Sequence, residues 1–364
     1  MKPVWLMPLI GLGFTVTCYA TNYDAIVTKM PKAANEYSSL SAAIAQAPEQ
    51  SEHRFKILVK NGIYTEKVNL KKSNISIYGQ DQHKTVLEYE SASGQNDAEG
   101  NHWGTSGSYV LAINGNNVTL KNITVKNSFD YLTNDAKASD DATKIGSSQA
   151  VALLIGTNAT HVKVKDVTLL GYQDTLYVKD GSTSYFRNST IKGNVDFIFG
   201  GGTAVFDSCA IIARPRGIDA QPIGFVTAPS TMSNVPYGLV FYYSYIGKEA
   251  GVPAHSYGLG RPWHPTRTFS DGRYADPDAI GYTLYFRSYL DDHVYYWASM
   301  TGHGKDGSTV TFDPMNDARF AEFQNFGPGA YRDGSNPRPQ LSYRQAAQIN
   351  LPHILGGLWY LKQQ

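Results

Sequence analysis

Val118 to Asn127 reads VTLKNITVKN, and Val162 to Gly171 reads VKVKDVTLLG. Apolar residue overlies apolar residue, and Asn122 overlies Asp166 at the break between two short alternating runs. Alternation with a period of two is the pattern of a strand with one buried face. An Asn or Asp at the break suits a corner, because its short polar side chain tolerates turn conformations and bonds to the nearby main chain. The two copies start 44 residues apart, which is two coils of 22 residues. Fainter copies run from Asn74 to Tyr78, Tyr185 to Ile191, Val205 to Ile211 and Leu239 to Ile246. A β-sandwich would also supply many short strands. The recurrence of the whole strand-corner-strand unit instead predicts an all-β solenoid, a single-domain parallel β-helix in which each coil buries its apolar face against the next.

Helical spacing is confined to the ends. Ser39 to Ala47 has apolar residues three or four apart and stops before Pro48. Ser342 is placed to cap a second helix through Gln345, Ala346, Ala347 and Ile349, stopping before Pro352. Short terminal helices would cover the open ends of the core. Two stretches leave the regular coil: Ser91 to Ser108, rich in Gly, Ser and Asn, and Phe129 to Ser148, which carries Asp130, Asp135, Asp140 and Asp141. Both are expected to wall a groove.

The formal charge is +1, and its Lys and Arg residues are scattered rather than grouped, so nucleic acid is not an expected partner. Residues 1–20 read as a signal peptide: Lys2, an apolar run from Val4 to Val16, and Cys18-Tyr19-Ala20 in a small-x-Ala pattern. The mature domain is then 21–364, secreted or periplasmic, a monomer with no membrane attachment after processing. It retains Cys209 alone, so no internal disulfide is expected and the core must supply the stability. The 25 tyrosines serve either as strand formers or as flat faces for stacking on sugars.

The chemistry is expected where two acidic motifs meet. Gly171 to Tyr177 reads GYQDTLY, Asp196 to Gly200 reads DFIFG, and Asp174 and Asp196 lie 22 residues apart, one coil. Stacked on neighbouring rungs about 4.8 Å apart, two carboxylates cannot both ionise freely. One becomes a proton donor while the other remains a nucleophile. Gln149 falls 24 residues before Gln173, so both amides are expected on the same face, donating to a developing oxyanion. Arg261, in the run LGRPW from Leu259 to Trp263, is placed to pair with Asp196, and Trp263 to stack on a pyranose ring. Tyr177, Val195 and Phe199 within the motifs, with Thr105, Ser106, Thr266 and Met300 on the walls, complete the candidate binding residues. His264 is expected to pack rather than catalyse. The glycine pattern from Gly302 to Gly307 precedes a strand-like run and is not a dinucleotide site.

Taken together, GYQDTLY at 171–177, VDFIFG at 195–200, QAVAL at 149–153 and LGRPW at 259–263 resemble the signature set of pectin methylesterases, in their bacterial secreted form without an inhibitor-like pro-region. The resemblance implies a right-handed parallel β-helix that hydrolyses methyl esters of homogalacturonan to pectate and methanol. It implies Asp196 as nucleophile, Asp174 as acid and base, Gln149 and Gln173 at the anion hole, and Arg261 and Trp263 in binding, with no cofactor and no metal. Some relatives pair two cysteines where this chain has Ser189 and Cys209. Three other readings share features with this one: a solenoid hydrolase of a different ester, a Ca²⁺-dependent pectate lyase using the aspartates of 130–141, and a carbohydrate-binding protein without turnover.

Overall fold

The computed structural model describes residues 22–49, 52–332 and 337–362. The expected signal segment lies outside them. The described chain winds as a parallel β-helix. One eleven-stranded sheet and two eight-stranded sheets run its length, and successive coils contribute one strand to each. The two sequence copies sit on adjacent coils in register, Leu120 against Val164 and Val125 against Leu169, so their 44-residue separation is one coil and not the two coils of 22 expected. The excursion from Phe129 to Ser148 supplies the extra length.

Inward positions stack into columns. In the eleven-stranded sheet Ile77, Leu120, Val164, Phe186, Phe206, Phe241 and Tyr285 follow one another rung by rung, all fully buried. The last four form a stacked aromatic ladder with centroids 4.9, 4.7 and 4.6 Å apart. Burying each such side chain contributes about 1.5–3 kcal/mol. Tyr285 keeps its hydroxyl satisfied on the Leu259 carbonyl, 2.8 Å away.

The corner after this sheet is a column of left-handed residues: Asn122, Asp166, Asn188, Ser208, Tyr243, Arg287 and Gln324, with φ between 48 and 55°. Asn and Asp fill it early, as the sequence pattern anticipates. Tyr243, Arg287 and Gln324 are not residues that favour positive φ. Tyr243 and Arg287 hold it because their amides bond the next coil, at Phe286 O and Phe323 O, while Gln324 on the edge coil is tied by its side chain to Arg287 and Tyr343. Stacking supplies what local preference lacks. Cys209 lies one coil from Ser189 behind this corner; it is a free, buried thiol whose pKa burial pushes up to about 12.

The first helix, Leu40–Ala45, falls within the stretch expected to be helical and is capped by Ser39. At the other end the structure corrects the reading. The helix capped by Ser342 ends at Ala346, and a second, Leu351–Ile354, contains Pro352 in its first turn. Proline at a helix start costs nothing because the first amides have no intrahelical acceptor, so here it opens a helix rather than closing one. Helices also occur away from the ends, in the two loop excursions, at Gly104–Gly107 and Tyr131–Ala136. The glycine pattern of 302–307 forms the turn of an antiparallel hairpin, Met300–His303 with Thr309–Phe312. No helix among the described residues is long and apolar enough to cross a membrane.

Candidate active site

One eight-stranded sheet carries Leu153–Ile155, Leu176–Val178, Ile198–Gly200, Gly224–Pro229 and Tyr257–Gly260 on consecutive coils. Leu176 pairs with Ile198, so Asp174 and Asp196 occupy equivalent positions two residues earlier, and Asp174 N donates to Val195 O at 3.0 Å. Both aspartates are left-handed, with φ of 65 and 49°. Asp is among the few residues that enter this region at modest cost. Both side chains are buried, 6 and 7% exposed.

The two carboxylates differ in their partners. Arg261 Nε and Nη2 donate to Asp196 Oδ1 and Oδ2 at 2.8 and 2.6 Å, a bidentate charge-assisted pair. Asp174 has no such counterion. Burial, and then the charge of Asp196, raise its pKa well above the ordinary carboxylate range, and Arg261 opposes this only in part. Two residues of one type thus sit in unlike surroundings, Asp196 clamped by arginine and Asp174 with its proton affinity raised.

Arg261 lies two coils beyond Asp196 and is itself held from below. Its guanidinium stacks over the Phe225 ring at 4.0 Å, and Phe225 is the next-coil neighbour of Asp196 in the register Ile198 to Thr227. Phe225 was not legible as a site residue. The excursion between Ala213 and Gly224 lengthens that coil, so a 22-residue spacing from Asp196 misses it.

Gln173 and Gln149 flank the carboxylates less regularly than the spacing predicts. Leu153 pairs with Leu176, and Ala150 N donates to Gln173 O at 3.1 Å, so Ala150 rather than Gln149 is the coil neighbour of Gln173. Gln149 sits one position earlier, its Oε1 buried without a hydrogen-bond partner among the described residues. A half-turn of that amide presents a donor at the same point.

Aromatic side chains floor the groove beside the carboxylates. Tyr177 and Phe199 stack with centroids 4.2 Å apart, and Trp263 meets them edge-on at 6.2 and 5.6 Å. Val195 is buried, its amide bonded to Asn194 Oδ1. On one side Ser106 receives a hydrogen bond from Lys179 Nζ at 3.2 Å, which brings the Thr105–Ser106 turn to the edge of the Tyr177 rung. Thr266 and Met300 stand on two hairpins that touch each other beyond Trp263, Thr266 exposed and Met300 half-buried.

The opposite wall holds two rings the sequence did not single out. Tyr131 stacks on Tyr172 at 5.3 Å, and Arg214 covers the other side of Tyr172 at 3.8 Å. Tyr131 is close enough for Asp174 to add to the burial that raises its pKa to about 12. Their signal was the position of Tyr172 beside Gln173 and of Tyr131 in the loop. Three of the four aspartates of that loop are committed elsewhere: Asp130 caps the helix Tyr131–Ala136, Asp135 pairs bidentately with Arg216 at 3.0 and 2.7 Å, and Asp141 accepts from Thr143. His264 is buried between the carbonyls of Asp276 and Asp317 and stacks on Phe312, a packing role. Asp291, Asp292 and His293 bring metal-type ligand atoms within 4.8 Å of one another, but the Lys248 ammonium already lies 2.5 Å from Asp292 Oδ1.

A parallel β-helix with a buried aspartate pair, one member clamped by arginine, is an arrangement suited to a solenoid hydrolase. The pectinesterase family model matches residues 24–335, and the chain belongs to that family. It is a carboxylic ester hydrolase with pectin methylesterase activity. Pectinesterase A of Dickeya dadantii is 43% identical over 340 residues, covering 93% of this chain and 92% of that protein. The pectin methylesterase of Yersinia enterocolitica superposes with a TM-score of 0.85 at 46% identity, over 88% of this chain and 99% of that one. A pectin methylesterase solved in complex with a hexasaccharide gives a TM-score of 0.88 at 42% identity, over 93 and 98% of the two chains.

Proposed function

We propose that Asp196 is the nucleophile and Asp174 the acid and base in hydrolysis of galacturonate methyl esters along homogalacturonan. Asp196 attacks the ester carbonyl carbon, and the carbonyl π electrons move to oxygen. The amides of Gln149 and Gln173 donate to that oxyanion, a type of contact worth about 2.7–4 kcal/mol per donor. On collapse the C–O bond to the methoxy group breaks, Asp174 gives its proton to the departing oxygen, and methanol leaves. Asp174, now a carboxylate, takes a proton from water as the water attacks the acyl-Asp196 anhydride. Asp196 departs as carboxylate, the free galacturonate is released, and Asp174 is again protonated. Arg261 keeps Asp196 aimed through its two hydrogen bonds, and Trp263, Tyr177 and Phe199 offer apolar faces to the sugar rings.

One observation carries this reading: the two carboxylates sit on adjacent rungs with opposite surroundings, Asp196 paired with Arg261 and Asp174 desolvated with a raised pKa. The hexasaccharide complex of the related pectin methylesterase supports a polysaccharide as substrate. Lys2, the apolar run and Cys18-Tyr19-Ala20 support export of residues 21–364 as a secreted or periplasmic enzyme. The deciding experiment incubates that mature chain with highly methylated pectin and measures methanol. Release by wild type and none by Asp196→Ala is the expected result. Equal release by both proteins overturns the assignment of the nucleophile.

A further inference from the structure

A second face of the same coils carries a charge pattern that the ester chemistry does not use. On the outer surface of the eleven-stranded sheet Lys121 pairs in register with Lys165, and Lys165 with Arg187. One step inward along the strand Lys163 stands beside Tyr185, and Arg54 reaches over from an earlier coil to Ser76 Oγ and Asn117 Oδ1. Lys121, Lys163, Lys165, Tyr185 and Arg187 line a cleft of about 510 Å³ together with Tyr360, Leu361 and Lys362, and Arg54 stands behind Lys163.

The cations outnumber their counterions. Asp207 lies 3.8 Å from Arg187 and also accepts from the Tyr185 hydroxyl at 2.5 Å. Asp166 reaches Lys165 only at 4.0 Å. Arg54, Lys121 and Lys163 have no carboxylate within ion-pair distance among the described residues. Lys163 is 8% exposed, and its Nζ is held on the Lys362 carbonyl at 2.6 Å. Burial, then repulsion from Arg54 and Lys165, lowers its pKa to about 8. Gathering like charges in a partly desolvated cleft is costly unless an anion completes it.

Given the pectin methylesterase activity, which leaves a carboxylate on each sugar it processes, we propose that this cleft is a second binding site, for the de-esterified polyuronate product. Three cations repeat at the rung spacing of about 4.8 Å along one line, which suits a linear polymer with one carboxylate per sugar residue. Tyr185 and Tyr360 add flat faces beside the charges. A polymer held here and in the catalytic groove at once gains affinity through effective concentration, which a short oligomer cannot. The processed stretch of a chain would then keep the enzyme on the polymer while neighbouring esters are cleaved.

The test compares wild type, Lys121→Gln/Lys165→Gln and Lys121→Arg/Lys165→Arg. Methanol release from a short methylated oligogalacturonide is measured alongside binding of long unesterified polygalacturonate at low and moderate salt. The expected result is at least fivefold weaker polymer binding by the Gln variant, with a shallower salt dependence. The Arg variant retains the wild-type affinity, and kcat/KM on the oligomer stays within about twofold for all three. Equal polymer affinity in wild type and the Gln variant overturns the proposal. So does equally tight binding of inorganic phosphate or duplex DNA at the same residues, since the site would then read charge rather than a polyuronate. Absence of methanol release by wild type would fault the esterase reading instead, and the polymer-binding comparison would still decide the cleft.

Discussion

Arg261–Asp196 and Arg338–Glu322 are the same chemical pair in two settings. Each is bidentate, with N–O distances of 2.8 and 2.6 Å in the first, which is part-buried, and 2.6 and 2.6 Å in the second, which is fully buried. Around Glu322 every strong group is answered: Asn325 donates to Oε2, and the remaining arm of Arg338 donates to Gly329 O. Around Asp196 one group is left over. Asp174 lies on the next rung, desolvated and without a counterion, and both face an aromatic-floored groove. A buried ion pair therefore does not by itself mark a site, because the closed pair near the C-terminal cap is structural. The second carboxylate and the open face make the difference, since together they place two groups of the same type in unlike surroundings, with the proton affinity of Asp174 raised.

The sharpest way to break this contrast is to remove each carboxylate in turn. Asp196→Ala should lower kcat for methanol release by about four orders of magnitude or more, the scale on which loss of a nucleophile is felt. Its thermal midpoint should change little, because the groove admits water to Arg261. Glu322→Ala should do the reverse. It strands Arg338 in a dry interior at a cost of about 3–5 kcal/mol, read by denaturant unfolding, while the folded fraction keeps its kcat within about twofold. If Glu322→Ala instead loses activity without losing stability, the closed pair is not merely structural.

Asp174→Asn sharpens the comparison from the other side. It should cost about 10²–10⁴-fold in kcat through loss of acid and base catalysis. It should also raise stability at pH 7. A carboxyl whose folded pKa lies above its unfolded value contributes stability fully only below the unfolded value, and that contribution is lost as pH rises through the folded one. Asp174 is such a group, so the mutant and wild type should melt alike near pH 3 and diverge toward neutrality, the mutant higher. The smallest effect is expected from Trp263→Ala. It should raise KM by about tenfold with kcat little changed, the signature of binding shared equally by substrate and transition state.

Much of this molecule was legible before folding. The paired decapeptides at 118–127 and 162–171 revealed the strand-corner-strand unit, though they lie one coil apart rather than two, and the 22-residue interval put Asp174 beside Asp196. Arg261 was legible as a partner because few residue types answer a buried carboxylate in two hydrogen bonds. What escaped lay where a coil is not of standard length. Gln149 is one position out of step with Gln173 because the coil before it is shorter than the spacing used. Phe225 follows an excursion, and Tyr131 comes from a loop whose internal helix has no periodic signal to announce it. Pro352 was read as a stop because its neighbours gave no hint that Asn350 would cap a new turn.

By itself the sequence determined the solenoid and the Asn and Asp of its early corners, because a period of two and a repeating corner residue are local properties of the chain. The tertiary structure decided which residues meet across coils. Lys121, Lys165 and Arg187 look scattered along the sequence, yet form one line on the surface. Asp174 and Asp196 are alike in type and backbone, and only their surroundings made them different. The physical reason is common to both. Stacking converts separations of twenty to forty residues into contacts of a few ångströms, and charge acts over those contacts through burial and neighbours that no local pattern records.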